Sequence, residues 1–395
     1  MTLIDLRLGD CEQVMLELED DSIDAIVTDP PYGINFMNKG WDNQVPGVTV
    51  WQQCYRVLKP GGHLLAFAGT RTQHRMASNI EDAGFEIRDM IAWIYGSGFP
   101  KSLNISKAID RAAGAEREVV GTSDTRGAYD GVDRGVVVHK YEREKGGYSS
   151  ISNSGPTDLT APATPEAAQW DGWGTALKPA LEPITVARKP FTGTVAGNVL
   201  KYGTGGLNID GTRIAGKLEG DPNRFAKTDG GSFVAKLDKN DPVVRSEGRW
   251  PANLIHDGTA EATGGMPETT RAPTAGGTAT AATGGVYGEY QTPAHPGDTG
   301  SASRYYYAAK TSKEDRNAGN NHPTVKPTEL MKWLCTLITP PGGTILDPFL
   351  GSGSTGKAAH ILGFDFVGIE LDEHYLEIAR QRIGYPDDSL FGDQT

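Results

Sequence analysis

Thr344-Ile345-Leu346-Asp347-Pro348-Phe349-Leu350-Gly351-Ser352-Gly353-Ser354-Thr355-Gly356 is the stretch that decides how this chain folds. Residues 344–346 read as a short buried strand, the glycines as a tight turn, and the segment to about Leu362 as a helix. A strand, a glycine turn and a helix in that order make a hollow where a nucleoside cofactor can lie. Residues 366–369 read as the next strand, and Glu370 stands at its end, where an acid can take the hydroxyls of a ribose. On the near side, Thr328 is placed to cap a helix carrying Leu330, Leu334 and Leu337, stopped by Pro340-Pro341-Gly342-Gly343. On the far side, Asp372 opens a last helix with Leu376, Ala379 and Ile383 on its buried side, closed by Gly384.

The N-terminal flank has the same grammar. Asp24-Ala25-Ile26-Val27-Thr28 is an apolar run ending at a polar turn, as a buried parallel strand should be. Trp51, Cys54, Tyr55 and Leu58 share one helical face, and Pro60-Gly61-Gly62 reads as the stop. A strand over 63–68, a helix over 73–83 and a strand over 85–95 complete a βαβαβ pattern, which implies a parallel sheet wrapped by helices. Residues 180–188 read as a further strand, antiparallel to 85–95, with the intervening stretch inserted in the hairpin.

The middle differs. The chain's 51 glycines and 24 prolines exceed the usual combined share of about 12%, and the excess is concentrated there. Residues 96–176 are polar and irregular, with a short helix expected over 106–113. Residues 190–303 are mostly rich in Gly, Thr and Ala without helical period, and 258–301 is nearly low in complexity. Loops this long inside an enzyme are functional or disordered; reading a substrate is the expected role. The organisation expected is therefore 1–95 as the N-terminal half of a catalytic domain, 96–176 as an insertion and 177–189 as a strand of its sheet. Residues 190–303 follow as a target-recognition region, 304–386 as the C-terminal half, and 387–395 as a tail.

Composition bounds the class. The 395 residues suffice for one large α/β domain with insertions or for two domains. A mean hydropathy of -0.41 and the lack of any apolar run near the roughly 20 residues of a bilayer span argue for a soluble chain without membrane contact. Met1-Thr2-Leu3-Ile4-Asp5 lacks the basic-then-apolar pattern of a signal peptide, so a cytoplasmic location is expected. Cys11, Cys54 and Cys335 have no metal-like spacing, which argues against a zinc site and a disulfide framework; no metal is expected. The net charge of -12 counts against a nucleic-acid binder held by phosphate contacts alone, but not against one with its basic residues on a single face.

Gly351 to Gly356 fits three readings. G-x-G-x-x-G after a strand, with Glu370 one strand on, matches a nicotinamide-dependent oxidoreductase. Extension to Lys357 imitates a P-loop, but Ala358 stands where Ser or Thr must hold magnesium. The third reading is a structural turn. A dinucleotide fold needs more strands after its ribose acid, and only twenty-five residues follow Glu370. The remaining strands must come from the N-terminal flank. That circularly permuted order sets Asp29 beside Gly351 at the ligand-binding rim of the sheet.

Asp29-Pro30-Pro31-Tyr32 suits an exocyclic amine. The lone pair of such a nitrogen is delocalised into its ring, and two acceptors at its N–H groups localise it. Asp29 offers a carboxylate oxygen and Pro30 a backbone carbonyl; neither proline has an N–H to occupy them, and each fixes φ near -65°. Tyr32 offers an aromatic face on which a base can stack, worth about 1–3 kcal/mol. A base in a duplex must be flipped out to reach such a pocket. Carbon methylation of cytosine needs a thiolate nucleophile, which in the family that performs it follows a proline; here Cys11 follows Asp10, Cys54 follows Gln53 and Cys335 follows Leu334.

With Asp29-Pro30-Pro31-Tyr32 preceding Phe349-Leu350-Gly351-Ser352-Gly353, the sequence resembles the permuted (beta-group) DNA amino-methyltransferases over residues 1–95 and 304–385. The resemblance implies an α/β fold, a Rossmann-like seven-stranded mixed sheet with helices on both faces, with long irregular insertions between its halves as the target-recognition region. It implies S-adenosyl-L-methionine as donor and double-stranded DNA as substrate. Asp10 resembles the acid on the cofactor adenine, though it also fits a helix cap. Asp347, Pro348, Phe349, Gly351 and Gly353 resemble the methionine-side loop, and Glu370 the ribose acid. His322 and Lys326, in His322-Pro323-Thr324-Val325-Lys326-Pro327, resemble the segment around the cofactor's amino-acid end; both also fit a structural turn. Asp as first letter leans to adenine N6 rather than cytosine N4, the alternative. Arg304, Lys310, Lys313 and Arg316 form a basic cluster apt for phosphates, or equally a solvated face. Trp41, Trp170 and Trp173 are candidate wedges for a flipped base, with core packing the alternative. A restriction endonuclease partner, and the choice between monomer and homodimer, stay open.

Overall fold

The strand Ile23–Thr28 is buried along its whole length, as an apolar run flanked on both edges must be, and lies in the interior of a nine-stranded sheet. The computed structural model of the chain describes residues 2–34, 42–96, 98, 102–123, 157–214, 248–272, 277–280, 289–292, 298–309, 315, 320, 322 and 325–384. The strands are β1 (Ile4–Leu8), β2 (Ile23–Thr28), β3 (Leu58–Phe67), β4 (Glu86–Ile94), β5 (Leu181–Arg188), β6 (Leu254–His256), β7 (Tyr307–Ala308), β8 (Thr344–Asp347) and β9 (Asp365–Glu370). Their order across the sheet is β1-β9-β8-β2-β3-β5-β4-β6-β7. Only β5 runs antiparallel to its neighbours, β3 and β4; the other pairs are parallel. The expected mixed α/β sheet is thus present, with two short strands, β6 and β7, added beyond β4. The C-terminal strands β8 and β9 stand between β1 and β2, so distant parts of the chain share one rim.

Seven helices accompany the sheet among the described residues of this unit: α1 (Cys11–Met15), α2 (Val48–Val57), α3 (Gln73–Asp82), α4 (Val195–Tyr202), α5 (Thr328–Ile338), α6 (Ser354–Leu362) and α7 (Glu373–Ile383), beside the single-turn Ala260–Thr263. Alternate strand residues face opposite layers. Met15, Trp51, Cys54 and Met76 of α1, α2 and α3 close over Ile26, Leu64, Ala66 and Val367. Phe366 points the other way, where Gly356 of α6 lets its ring and Ile383 of α7 approach. α5 packs beside α6.

Four local expectations are corrected. The strand expected from His63 begins at Leu58, which was expected on the helix. Its first pairing, Ile23 with Leu58, jumps to Ala25 with His63. The surplus residues form a bulge held by Lys189, the residue after β5: Gly61, at φ +81°, donates to the Lys189 carbonyl, and the Lys189 amide donates back to the Gly62 carbonyl. Thr328 is not a cap; the cap position is Pro327, and the Asp315 carboxylate instead accepts from the Thr328 amide at 2.9 Å. Residues 190–303 contain α4, capped by Thr194 and ended by Gly203 in the left-handed conformation. The segment 258–301 contains two antiparallel ladders, Glu268–Arg271 with Asp298–Ser301 and Gly277–Thr280 with Glu289–Thr292; its threonines suit strands.

A second compact unit comprises residues 95–180. Within it, helix Ile105–Ala112 packs beside helix Pro165–Gln169, and Val119–Ser123 pairs antiparallel with Thr157–Thr160. The buried Asp110 carboxylate ties it together, accepting from Arg117 at 2.6 Å and from the amides of Ala163 and Thr164 at 3.0 Å. Trp170 and Trp173 meet edge to face at 5.1 Å and are both exposed, contrary to the core-packing alternative. Trp41 lies outside the described residues.

Two predictions come from the turn after β8. Gly353 has φ +79°, and a Cβ there would come within 2.9 Å of the Ala379 Cβ. Gly353→Ala should therefore cost about 1–3 kcal/mol of stability in urea unfolding; an unchanged midpoint would contradict this account of the turn. Burial raises the Asp347 carboxyl to about 6, against hydrogen bonds from Thr28, Thr355 and Phe349 that lower it. Folding thus lifts it above the roughly 4 of an unfolded aspartate, and its contribution to stability is complete below that value and lost as pH rises through about 6. Relative to Asp347→Asn, the wild type should lose stability across that window, and a pH-independent difference would show the sign to be wrong.

Candidate active site

β2 and β8 run side by side, and their ends deliver both motifs to one rim. The Thr28 hydroxyl donates to Asp347 Oδ1 at 2.6 Å, and the Thr355 hydroxyl to Asp347 Oδ2 at 2.6 Å. The Phe349 amide donates to the same carboxylate at 3.1 Å. Asp347 is therefore the buried knot that fixes the start of the glycine turn to the start of Asp29-Pro30-Pro31-Tyr32. Pro30 and Pro348 are buried and Pro31 half-buried. The Phe349 ring leans on Trp51 at 6.3 Å.

Three charged or hydroxylic side chains converge with Asp29. Tyr32 Oη lies 2.7 Å from Asp29 Oδ1 and 3.0 Å from Glu182 Oε2. Lys326 Nζ donates to Asp29 Oδ2 at 2.6 Å and to Tyr32 Oη at 3.1 Å, and lies 3.2 Å from Glu182 Oε2. The Lys326 side chain is only 7% exposed, and those of Asp29 and Glu182 19%. Burial works to lower the Lys326 pKa, but the two carboxylates overcome it and raise it; the amine stays an ammonium. Burial, and then the same two carboxylates, push the Tyr32 hydroxyl well above its ordinary value, so it keeps its proton. The backbone is held too: Asp42 Oδ1 accepts from the Tyr32 and Gly33 amides at 2.7 and 2.8 Å, and the Thr72 hydroxyl donates to the Tyr32 carbonyl at 2.6 Å.

The glycine loop is clamped from α7. Arg382, buried, donates to the Ser352 carbonyl and hydroxyl and to the Asp315 carbonyl. Gly351 is left-handed at φ +54°, and a Cβ there would press on His322 Nε2 at 3.2 Å. His322 packs its ring on Tyr375 at 4.5 Å. Glu370 accepts from the Gly351 amide at 2.7 Å and the Asp372 amide at 2.9 Å; burial raises its pKa. Asp10 caps α1, accepting from the Glu12 and Gln13 amides at 3.0 and 3.3 Å, while the Gly9 amide ties β1 to the Glu370 carbonyl at 2.9 Å.

Asp29, Tyr32 and Lys326 are thus brought together, as are His322, Gly351 and Glu370. Lys326, which the resemblance places at the cofactor's amino-acid end, reaches Asp29 and Tyr32 of the first motif. Arg304 is spent on the neighbouring ladder: it donates to Thr269 Oγ1, the Ser301 carbonyl and Tyr305 Oη, each at 2.8 Å. Lys310, Lys313 and Arg316 lie outside the described residues, as do Pro323 and Thr324. Glu182, Asp42 and Arg382 escaped the sequence reading. A lone acid inside the strand run Leu181 to Arg188 was the one available signal for Glu182.

Burial dominates the cysteines. It raises Cys11 to about 12 and pushes Cys54 and Cys335 well up, so none offers a ready thiolate. Among the described residues no group of three or more His, Cys, Asp or Glu side chains could hold a metal ion.

Comparison with known proteins adds relatives. Type II methyltransferase M2.DpnII of Streptococcus pneumoniae is 47% identical over 73 residues, 18% of this chain and 27% of that protein. Type II methyltransferase M2.LlaDCHI of Lactococcus lactis subsp. cremoris is 42% identical over 73 residues, with the same coverage. The match thus spans about a quarter of the length of these curated relatives. The crystal structure of an M1.HpyAVI–SAM complex aligns with 96% of this chain and 99% of its own, at 15% identity and a TM-score of 0.42. The N6/N4 DNA methylase sequence model matches residues 23–117 and 247–381, more than half of the chain and both sides of the rim, and the chain belongs to that DNA methylase family.

Proposed function

We propose that the protein is an S-adenosylmethionine-dependent DNA methyltransferase that modifies the exocyclic N6 amine of adenine at a specific sequence in double-stranded DNA. The observation that carries this reading is the Asp29 carboxylate, pinned by Tyr32 and Lys326 at the rim shared with the glycine turn. Each carboxylate oxygen has a second lone-pair direction, so Asp29 accepts an amine N–H without giving up either pin. Such fixed acceptors act where positive charge develops and need no reorganisation. Membership of the DNA methylase family supports the same substrate class.

The residues present fit the cofactor. Gly351 and Gly353 keep the turn tight, since Cβ atoms there would press on His322 and Ala379, and the half-buried Glu370 carboxylate borders it through the Gly351 amide. Glu370 would hold the ribose, Gly351 and Gly353 the methionine side, and Asp10 the adenine edge, alongside its capping role. S-adenosylmethionine, when bound, supplies a methyl carbon on a sulfonium that leaves as a neutral thioether. Asp29 and the Pro30 carbonyl orient the target amine, and Tyr32 holds Asp29 while offering its ring to the base. The flipped nucleotide leaves the duplex to reach them. Target choice is assigned to residues 190–303, with the unit 95–180 as the other reader, and a restriction endonuclease is the natural partner of such an activity. No helix of the described residues is long and apolar enough to cross a membrane, and we read the protein as cytoplasmic.

Asp29→Ala is expected to lower methyl incorporation into DNA by roughly a hundredfold or more while leaving S-adenosylmethionine affinity within a few fold. Near-normal turnover in that variant would remove the amine clamp from the mechanism. Methylation-sensitive long-read sequencing of DNA from expressing cells should reveal N6-methyladenine in one recurring sequence. N4-methylcytosine there would transfer the assignment to the runner-up, and unmodified DNA would end the methyltransferase reading.

A further inference from the structure

Glu182 belongs to neither motif, yet it stands in contact with the group that handles the amine. It lies on β5, the one antiparallel strand of the sheet, and Lys326 and Tyr32 both reach it. The arrangement poses two problems of counting. Tyr32 has one hydroxyl hydrogen, but its oxygen lies 2.7 Å from one carboxylate and 3.0 Å from the other; the hydrogen serves one at a time. Lys326 carries one positive charge, 2.6 Å from Asp29 and 3.2 Å from Glu182. Without Glu182, Asp29 and Lys326 would form a neutral pair, with the ammonium drawing on the carboxylate that must attract the amine. With Glu182 the four groups carry a net charge of minus one.

We propose that Glu182 is the positioning residue that sets the charge of the amine pocket, sharing the Lys326 ammonium and accepting the Tyr32 hydrogen so that Asp29 keeps its negative charge for the target nitrogen. The inference rests on the methyltransferase reading and deepens it. In the reaction the nitrogen lone pair forms the bond to the methyl carbon, the carbon–sulfur pair stays with sulfur, and the nitrogen turns cationic before passing one proton to solvent water. An excess negative charge a few ångströms away favours that cation, and its effect is strong because the cluster is largely removed from water. It also explains the one acid on a largely buried strand: Ile184, Val186 and Ala187 on β5 are buried, and a carboxylate beside them persists through its partners.

The test compares Glu182→Gln with the double variant Glu182→Gln, Lys326→Met in single-turnover methylation, alongside binding of S-adenosylmethionine, binding of DNA, and thermal unfolding. Glu182→Gln keeps the shape and neutralises the pocket, so the rate should fall at least roughly tenfold while both affinities stay within about twofold. Removing the ammonium as well returns the pocket to minus one, and the double variant should regain part of the lost rate. A purely structural role predicts the opposite, a double variant slower than the single one and a lower melting temperature in both. Normal turnover in Glu182→Gln, or no recovery in the double variant, overturns the inference while a methylating wild type keeps the function intact. A wild type that leaves DNA unmethylated would instead remove the reading on which the inference stands.

Discussion

Thr28 and Asp347 are 319 positions apart, and the 2.6 Å hydrogen bond between them is the constraint on which the site depends. Asp347 is buried and accepts from Thr28, Thr355 and the Phe349 amide. A carboxylate in that position tolerates burial only while its lone pairs are met, so the ends of β2 and β8 and the first turn of α6 are fixed to one another. Asp29 follows Thr28, and the glycine turn follows Asp347. The two motif-bearing segments are therefore held in register by a polar contact, and not by apolar packing alone.

Around that knot the chemistry divides by electrostatics. On the Asp29 side, charges are kept: Lys326 remains an ammonium, with burial opposed by two carboxylates, and Tyr32 remains a phenol. On the turn side, the backbone does more of the work. Left-handed Gly351 and Gly353 let His322 and Ala379 pack close against the turn, Glu370 holds the Gly351 amide, and Arg382 clamps the Ser352 carbonyl from the last helix. In the proposed reaction the first side would supply the fixed acceptors that a weakly nucleophilic amine needs, and the second the backbone groups of a tight turn.

Much of this was legible because local chemistry speaks for itself. Periodicity exposed β2, β4, β5, α5, α6 and α7, since apolar runs and helical spacing record which face is buried. The turn after β8 was legible because glycines at that spacing have few other uses. β1 was harder, because Ile4–Leu8 alternates apolar with charged residues and is only partly buried. The early start of β3 was hidden for another reason: Pro60-Gly61-Gly62 has the chemistry of a stop, and only Lys189, just past the end of β5, turns it into a bulge. α4 was masked by a glycine-rich context, although Thr194 and Gly203 cap it in the ordinary way.

The sequence by itself determined the types of element, the two motifs and their order, and hence the family, because these depend on residues close together along the chain. Only the tertiary structure decided which distant side chains complete them. Glu182 from β5, Lys326 from the segment before α5, Asp42 and Arg382 reach the site through strand order and helix packing. No spacing rule encodes such meetings, since a contact made across a sheet is set by which strands are neighbours and leaves no period in the chain.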